Sequence, residues 1–241
     1  MPKECEFFMN SIPLECRNLS KRYGSHTALD NVNITLKSGC ITGLLGPNGS
    51  GKTTFIKLVN GLIQPSSGDI VVCGKSVGPE SKAEVSYLSD RICLESWMRV
   101  TDTLDLYQDF FADFDREAAL GMLKTLSIDL GKRFKTLSKG NQEKVQLVLA
   151  MSRKARLYLL DEPIGGVDPA ARDYIINTIL ANYNRESAVL ISTHLIQDVE
   201  QILGEIIFLK EGNVVFHGNA DDIRAEKSMS IDSLFREVFK C

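Results

Sequence analysis

Apolar and polar positions alternate with a period of two through the first part of the chain. The alternation covers residues 19–23, Val32-Asn33-Ile34-Thr35-Leu36 and Cys40-Ile41-Thr42-Gly43-Leu44-Leu45, and it predicts three strands. The spacing then becomes helical. From Gly51 onward Phe55, Leu58, Val59 and Leu62 recur at i, i+3, i+4, i+7 and predict one buried face, with Gly61 and Pro65 as stop signals. Strands at 69–73 and 85–88 follow. Residues 95–156 read as helical, with Thr101 as N-cap, Asp102 as a first-turn acid, and Leu104, Tyr107, Phe111 and Phe114 as a stripe expected in the core. Beyond residue 156 the pattern returns to alternating α and β: Leu157-Tyr158-Leu159-Leu160, a helix from Pro169, a strand at 188–192 and a short helix near Leu195. Two apolar runs, 206–209 and 214–216, flank Glu211-Gly212-Asn213 and predict a β-hairpin, and 220–239 predict one or two terminal helices.

No internal repeat or low-complexity segment interrupts this order, and the 18 Gly and 7 Pro fall at turns instead of forming a linker. One continuous unit with an inserted helical subdomain is therefore expected, and 241 residues suffice to bury a substantial core. Residues 38–51, the longest uncharged stretch, contain Pro47, Asn48 and several Gly and Ser and are too short and polar for a membrane helix. Glu4 and Glu6 precede any apolar run, so no signal peptide is expected and a cytosolic location is.

Charge changes the picture twice. The formal net charge of −3 argues against a nucleic-acid partner, which would call for a basic footprint. Beneath that value, residues 101–120 carry six acids against Arg116, whereas residues 131–156 carry eight bases against Glu143. Cys5, Cys16, Cys40, Cys73, Cys93 and Cys241 form no C-x-x-C pair and read as reduced thiols. His26, His194 and His217 lack zinc-site spacing.

The most specific signal is Gly46-Pro47-Asn48-Gly49-Ser50-Gly51-Lys52-Thr53, which fits G-x-x-x-x-G-K-[ST] directly after a strand and at the start of a helix. Its glycines let backbone N–H groups converge on phosphate oxygens, and the helix N-terminus adds its positive dipole. Lys52 is expected to reach the β- and γ-phosphates, and Thr53 to ligate Mg²⁺. The apolar run 157–160 ends in Asp161 and Glu162, which places two carboxylates where open α/β sheets bind ligands. Asp161 is expected to hold Mg²⁺ through water, and Glu162 to take a proton from an attacking water; two solvated turn acids are the alternative. A second Ser/Gly helix start, Leu137-Ser138-Lys139-Gly140-Asn141-Gln142, lies in the basic segment and reads either as a plain N-cap or as a second anion site.

With these elements in this order, the sequence resembles the ATP-binding subunit of an ATP-binding cassette (ABC) transporter from Leu14 to about Gly218. The resemblance implies an α/β fold of the P-loop NTPase type. It has a mixed sheet core with an antiparallel β subdomain (14–94 and 157–218), an inserted α-helical subdomain (about 95–156) and C-terminal helices (219–241). It also implies roles. Tyr23 stacks on adenine, unless it is an ordinary strand residue; residues 46–53 with Thr54 form the Walker A loop; Ser138, Lys139, Gly140 and Asn141 form the signature, usually LSGGQ. Asp161 and Glu162 form Walker B, Asp168 lies in the D-loop and is also an N-cap before Pro169, and His194 is the switch histidine that contacts the γ-phosphate. Lys139 and Asn141 depart from the signature, and in Tyr87-Leu88-Ser89-Asp90 the Q-loop glutamine is replaced by Asp90.

The family's arrangement further implies a second ABC subunit packed head-to-tail, with the basic 131–156 segment facing the opposite subunit's triphosphate. A membrane permease docked near residues 90–100 and Trp97 completes it, keeping the chain on the inner face of the membrane. Ser96-Trp97-Met98 and the Asp-rich 109–115 resemble short ABC-2-type exporter ATPases of Gram-positive bacteria, which implies export. A soluble ABC-type ATPase or an ATP-dependent switch not coupled to transport is the competing reading. The lack of a heptad run speaks against repair-type relatives.

Overall fold

The computed structural model describes residues 12–165, 169–183, 186–227 and 229–239, so Asp168 lies outside the described residues. In chain order the first half forms β1 (Leu14–Tyr23), β2 (His26–Leu36), β3 (Ile41–Leu45), α1 (Lys52–Val59), β4 (Ser67–Val72), β5 (Lys75–Ser76), α2 (Pro79–Ala83) and β6 (Val85–Leu88). Three helices follow, α3 (Val100–Phe110), α4 (Arg116–Thr125) and α5 (Lys139–Met151). The second half forms β7 (Leu157–Asp161), α6 (Pro169–Asn182), β8 (Ala188–Thr193), α7 (Ile196–Val199), β9 (Glu205–Lys210), β10 (Asn213–Asn219), α8 (Ala220–Lys227) and α9 (Ile231–Val238).

The strands form two sheets. One is antiparallel with order β2-β1-β4-β5; the other has order β10-β9-β3-β8-β7-β6 and is parallel except for the β9–β10 edge. β3, β7 and β8 are buried along their whole length, which is why they read as continuous apolar runs. Alternate residues of β7 serve two cores. Leu157 and Leu159 pack with Phe55, Ile56 and Leu58 of α1 and, through them, with Leu19, Ile34 and Leu36 of the antiparallel sheet. Tyr158 and Leu160 face the other way, onto Leu147 and Met151 of α5 and Ile175 and Ile179 of α6. The helical insert has its own core of Val100, Leu104, Ala119, Leu123 and Phe134. α5 joins the two, because Val145, Val148 and Leu149 enter the insert's core while Leu147, Ala150 and Met151 enter that of the sheet.

Several sequence expectations need correction. α1 ends at Val59 with Asn60 as C-cap, and Leu62, past the left-handed Gly61, is 54% exposed and not on a buried face. Arg99, not Thr101, occupies the N-cap of α3, since Asp102 Oδ2 reaches back to the Arg99 N–H at 2.8 Å. Phe111 and Phe114 lie beyond the helix, although both rings stay against Tyr107, at 5.2 and 5.6 Å between centroids. Trp97, which by sequence reads equally as a docking residue or as part of the insert's core, is 64% exposed and takes no part in that core. Part of the basic segment is also satisfied within the chain and not across an interface. Arg153 is buried and grips Asp113, donates to the carbonyls of Val85 and Ala83 at 2.6 Å and lies 3.9 Å from the Phe111 ring centroid, while Lys154 pairs with Asp115.

Candidate nucleotide site

Parallel pairing sets the C-terminal ends of β3, β7 and β8 side by side, with Leu45 opposite Thr193 and Asp161 opposite Ser192. The glycine-rich loop of residues 46–51 leaves β3 here and turns into α1. Gly51 occupies the N-cap at φ 111°, and no side chain caps the helix. The N-terminal amides of α1 therefore remain available to an anion. A residue with a Cβ would fail at Gly51, because that carbon would fall 2.6 Å from the Ala28 carbonyl oxygen.

Lys52 is 6% exposed, and its Nζ donates to the carbonyls of Gly46 (2.8 Å) and Pro47 (3.2 Å). Burial pushes its pKa down, against the opposing pull of Glu162 and Asp161. Glu162 takes a left-handed backbone at φ 51°, a costly conformation for a residue with a Cβ, and is held there by its N–H donating to the Ser192 carbonyl at 3.0 Å. The Glu162 carboxylate lies 3.6 Å from Lys52 Nζ and 3.0 Å from His194 Nδ1.

Asp161 is 1% exposed, and burial raises its pKa, while hydrogen bonds from Ser192 and Thr53 work the other way. Its Oδ1 accepts from Ser192 Oγ at 2.5 Å and from Thr53 Oγ1 at 3.3 Å; Oδ2 is buried with no partner. An orphaned carboxylate oxygen beside a hydroxyl is a hard-oxygen donor set, and it fits Mg²⁺. Among the described residues no group of three or more His, Cys, Asp or Glu is placed to hold a metal.

A cleft of about 360 Å³ runs from Tyr23, His26 and Ala28 past Asn48, Gly49, Gly51, Lys52, Thr53 and Thr54 to Asp90 and Glu162. It thus joins Tyr23, 47% exposed with Lys21 Nζ 5.0 Å from its ring centroid, to the phosphate loop. A second cleft of about 270 Å³ shares Asp90 and Glu162 and continues to Lys139, Glu143 and Gln146. Ser138, Gly140 and Asn141 line neither of these clefts. Ser138 is the N-cap of α5, its Oγ accepting from the Asn141 N–H at 3.3 Å, and the Lys139 side chain is 73% exposed, 3.7 Å from Glu143.

The family model described as ABC transporter matches residues 29–165, more than half the chain. The chain belongs to the ABC transporter family. The ABC transporter ATP-binding protein YtrB of Bacillus subtilis (strain 168) is 29% identical over 88% of this chain and 74% of its own length. The Nod factor export ATP-binding protein I of Cupriavidus metallidurans is 26% identical over 87% of this chain and 72% of its own. A solved ATP-binding subunit of an ABC transporter superposes with a TM-score of 0.83 at 28% identity, covering 94% of this chain and 99% of that one. As an ABC ATP-binding protein the chain is an ATPase coupled to transport and uses ATP and Mg²⁺, and such subunits dimerise and work with a membrane permease.

Two contributors to the ABC site escaped the sequence reading. Ser192 orients Asp161 and Glu162, and its signal was available, because it stands two residues before His194 at the end of a strand. Gly212, in the β9–β10 turn, donates its N–H to the Ser50 carbonyl, and nothing local in the sequence announces that contact.

Proposed function

We propose that this chain is a single ATPase unit, with a core of 14–94 and 157–218, an insert at about 95–156 and C-terminal helices at 219–241. In this reading it binds MgATP on Gly46, Pro47, Asn48, Gly49, Ser50, Gly51, Lys52, Thr53 and Thr54, with the base against Tyr23, and hydrolyses it in a head-to-tail pair of subunits. The observation that carries the reading is the Glu162 carboxylate set between Lys52 Nζ at 3.6 Å and His194 Nδ1 at 3.0 Å. Lys52 exchanges its loop carbonyls for the β- and γ-phosphate oxygens. Glu162 then takes the proton of the attacking water, whose oxygen forms the new bond to the γ-phosphorus as the bond to the ADP oxygen breaks. His194 holds Glu162 and donates to the γ-phosphate. Thr53 and Asp161 are the residues that would hold Mg²⁺, which when bound neutralises charge on the β- and γ-oxygens.

The pairing of subunits is supported by the position of the signature. Ser138, Gly140 and Asn141 stand outside the chain's own phosphate cleft, so a second subunit's nucleotide is their natural partner. Asp168 joins that interface as the D-loop aspartate, and Asp90 serves at the Q-loop position. Among the described residues no helix is long and apolar enough to cross a membrane, and the exposed Trp97 with residues 90–100 offers a docking face for a separate permease on the inner side of the membrane. Export is the direction proposed, by similarity to the Nod factor export protein.

Glu162→Gln tests the core of this reading. It is expected to abolish turnover, keep ATP binding and trap an ATP-bound pair measurable by light scattering. Full ATPase activity in that variant would overturn the assignment.

A further inference from the structure

The Walker A loop, β2 and the β9–β10 turn meet in a junction made of backbone. Gly212 donates its N–H to the Ser50 carbonyl at 2.9 Å and accepts from the Asp30 N–H at 2.9 Å. It thereby ties the phosphate loop to β2, the strand whose start carries His26 and Ala28 into the same cleft. The approach leaves no room for a side chain. A Cβ on Gly212 would fall 2.8 Å from the Ala28 carbonyl oxygen and 3.0 Å from both the Ala28 carbonyl carbon and Leu29 Cα, inside ordinary van der Waals contact and against backbone that cannot step aside. The residue also sits at φ 79° after Glu211 at φ 48°, the paired left-handed conformation of a two-residue hairpin turn.

We propose that Gly212 is a positioning residue for nucleotide binding, fixing the distance between the phosphate loop and the base end of the cleft. Its N–H takes up the carbonyl of Ser50, the residue before the α1 N-cap, and so holds the loop with its amides directed into the cleft. The inference rests on the reading of residues 46–53 as the phosphate loop. Glu162 and His194 follow β7 and β8, which β3 separates from β9 and β10 in the sheet, so the effect belongs to affinity and not to the chemical step.

The molecule contains its own control. Cys73 and Gly74 join β4 to β5 at φ 50° and 77°, nearly the same backbone as Glu211 and Gly212, but a Cβ on Gly74 meets nothing within 4 Å. Gly74→Ala and Gly212→Ala therefore impose the same left-handed strain, and only the second imposes the collision. In the full chain, Gly212→Ala is expected to raise the dissociation constant and KM for MgATP roughly five- to tenfold, the scale of one lost hydrogen bond, with kcat at saturating ATP within about twofold of the parent. Gly74→Ala is expected to lower Tm by less than Gly212→Ala does, since it carries the strain without the collision, and to leave ATP affinity unchanged. Gly212→Asn keeps the collision while tolerating the left-handed backbone, so the affinity loss is expected to persist as Tm partly recovers. The proposal is overturned if Gly212→Ala and Gly212→Asn bind MgATP like the parent, or if Gly74→Ala weakens it as much. Lys52→Ala separates the two levels: if it binds MgATP normally, the phosphate-loop reading itself fails, whereas loss there with unchanged affinity in both Gly212 variants sinks the positioning role alone.

Discussion

α1 and α5 begin in sequence contexts that look alike, a Ser/Gly stretch with a lysine at the first helical position, yet the structure completes them in opposite ways. At α1 no side chain caps the helix, Lys52 is buried, and Asp161, Glu162 and His194 are gathered around it. At α5 the Ser138 hydroxyl accepts from the Asn141 N–H, Lys139 extends into solvent, and Gln142 is turned back onto the carbonyls of Phe134 and Leu137. The first is a site whose charges are held in strained and desolvated positions by the sheet. The second is a stable helix terminus with an exposed polar face, which is what a half-site awaiting a second molecule requires. Uncapped donors and buried charge mark the place where one chain supplies the binding groups by itself.

The largest effect is expected from the most costly of those buried groups. Asp161→Asn removes the carboxylate that fits Mg²⁺, and turnover is expected to fall by roughly two to three orders of magnitude, because metal assistance is worth several kcal/mol. The same change is expected to stabilise the nucleotide-free protein. Burial raises the Asp161 pKa above 3.8, so its proton is bound more tightly in the folded state. The resulting contribution to stability is complete below 3.8 and is lost as pH rises through the raised value. Asparagine carries no such loss. The Tm of Asp161→Asn, measured without nucleotide, should therefore gain on that of the parent as pH climbs from about 4 to neutrality, and a constant difference would show that Asp161 carries no strain.

Lys52→Ala comes next. Removing one buried charged donor is expected to weaken MgATP binding about a hundredfold, near 3 kcal/mol, in an equilibrium titration. A loss below about fivefold would count against residues 46–53 as the phosphate loop, and the two helix starts would then differ less than their surroundings suggest.

How much of this contrast was legible beforehand depended on range along the chain. The strand before Gly46, the acids after Leu160 and the hairpin around Gly212 are local patterns, and the sheet places them where their periodicity indicates. The Arg153–Asp113 pair joins positions 40 residues apart, and the Gly212 contact joins the phosphate loop to a distant turn. Neither leaves a periodic trace, so the basic segment looked like an external face when Arg153 was already satisfied inside. Leu62 misled for the opposite reason. Its spacing continued the apolar stripe, but Gly61 had already ended the helix in the left-handed region. Ser138 and Lys139 were legible as a helix start, whereas the second subunit proposed to face them lies outside the chain.

On the α5 side the expected effects are smaller and divide differently. Ser138→Ala deletes the N-cap and is expected to cost about 1 kcal/mol, or about 2–4 °C in Tm. If the hydroxyl serves a second subunit's nucleotide, hydrolysis should fall more than this modest destabilisation explains, while ATP affinity of the isolated chain stays unchanged. Equal affinity and equal turnover would leave Ser138 as a cap and nothing more.

Lys139→Ala is the most delicate probe of the comparison. Its ion pair with Glu143 joins an exposed ammonium to a largely buried carboxylate in an i,i+4 contact at 3.7 Å, worth about 0.5 kcal/mol, and an ammonium at a helix N-terminus opposes the dipole. The two effects nearly cancel, so Tm is expected to stay within about 1 °C of the parent. Turnover carries the information. In a paired state Lys139 would add a cation to the neighbouring triphosphate, so KM for ATP in hydrolysis should rise about two- to threefold at low salt, with the difference fading as ionic strength screens the charge. A salt-independent change would place the effect in the helix itself, and no change at any salt would show that α5 presents only its hydroxyl and amides across the interface.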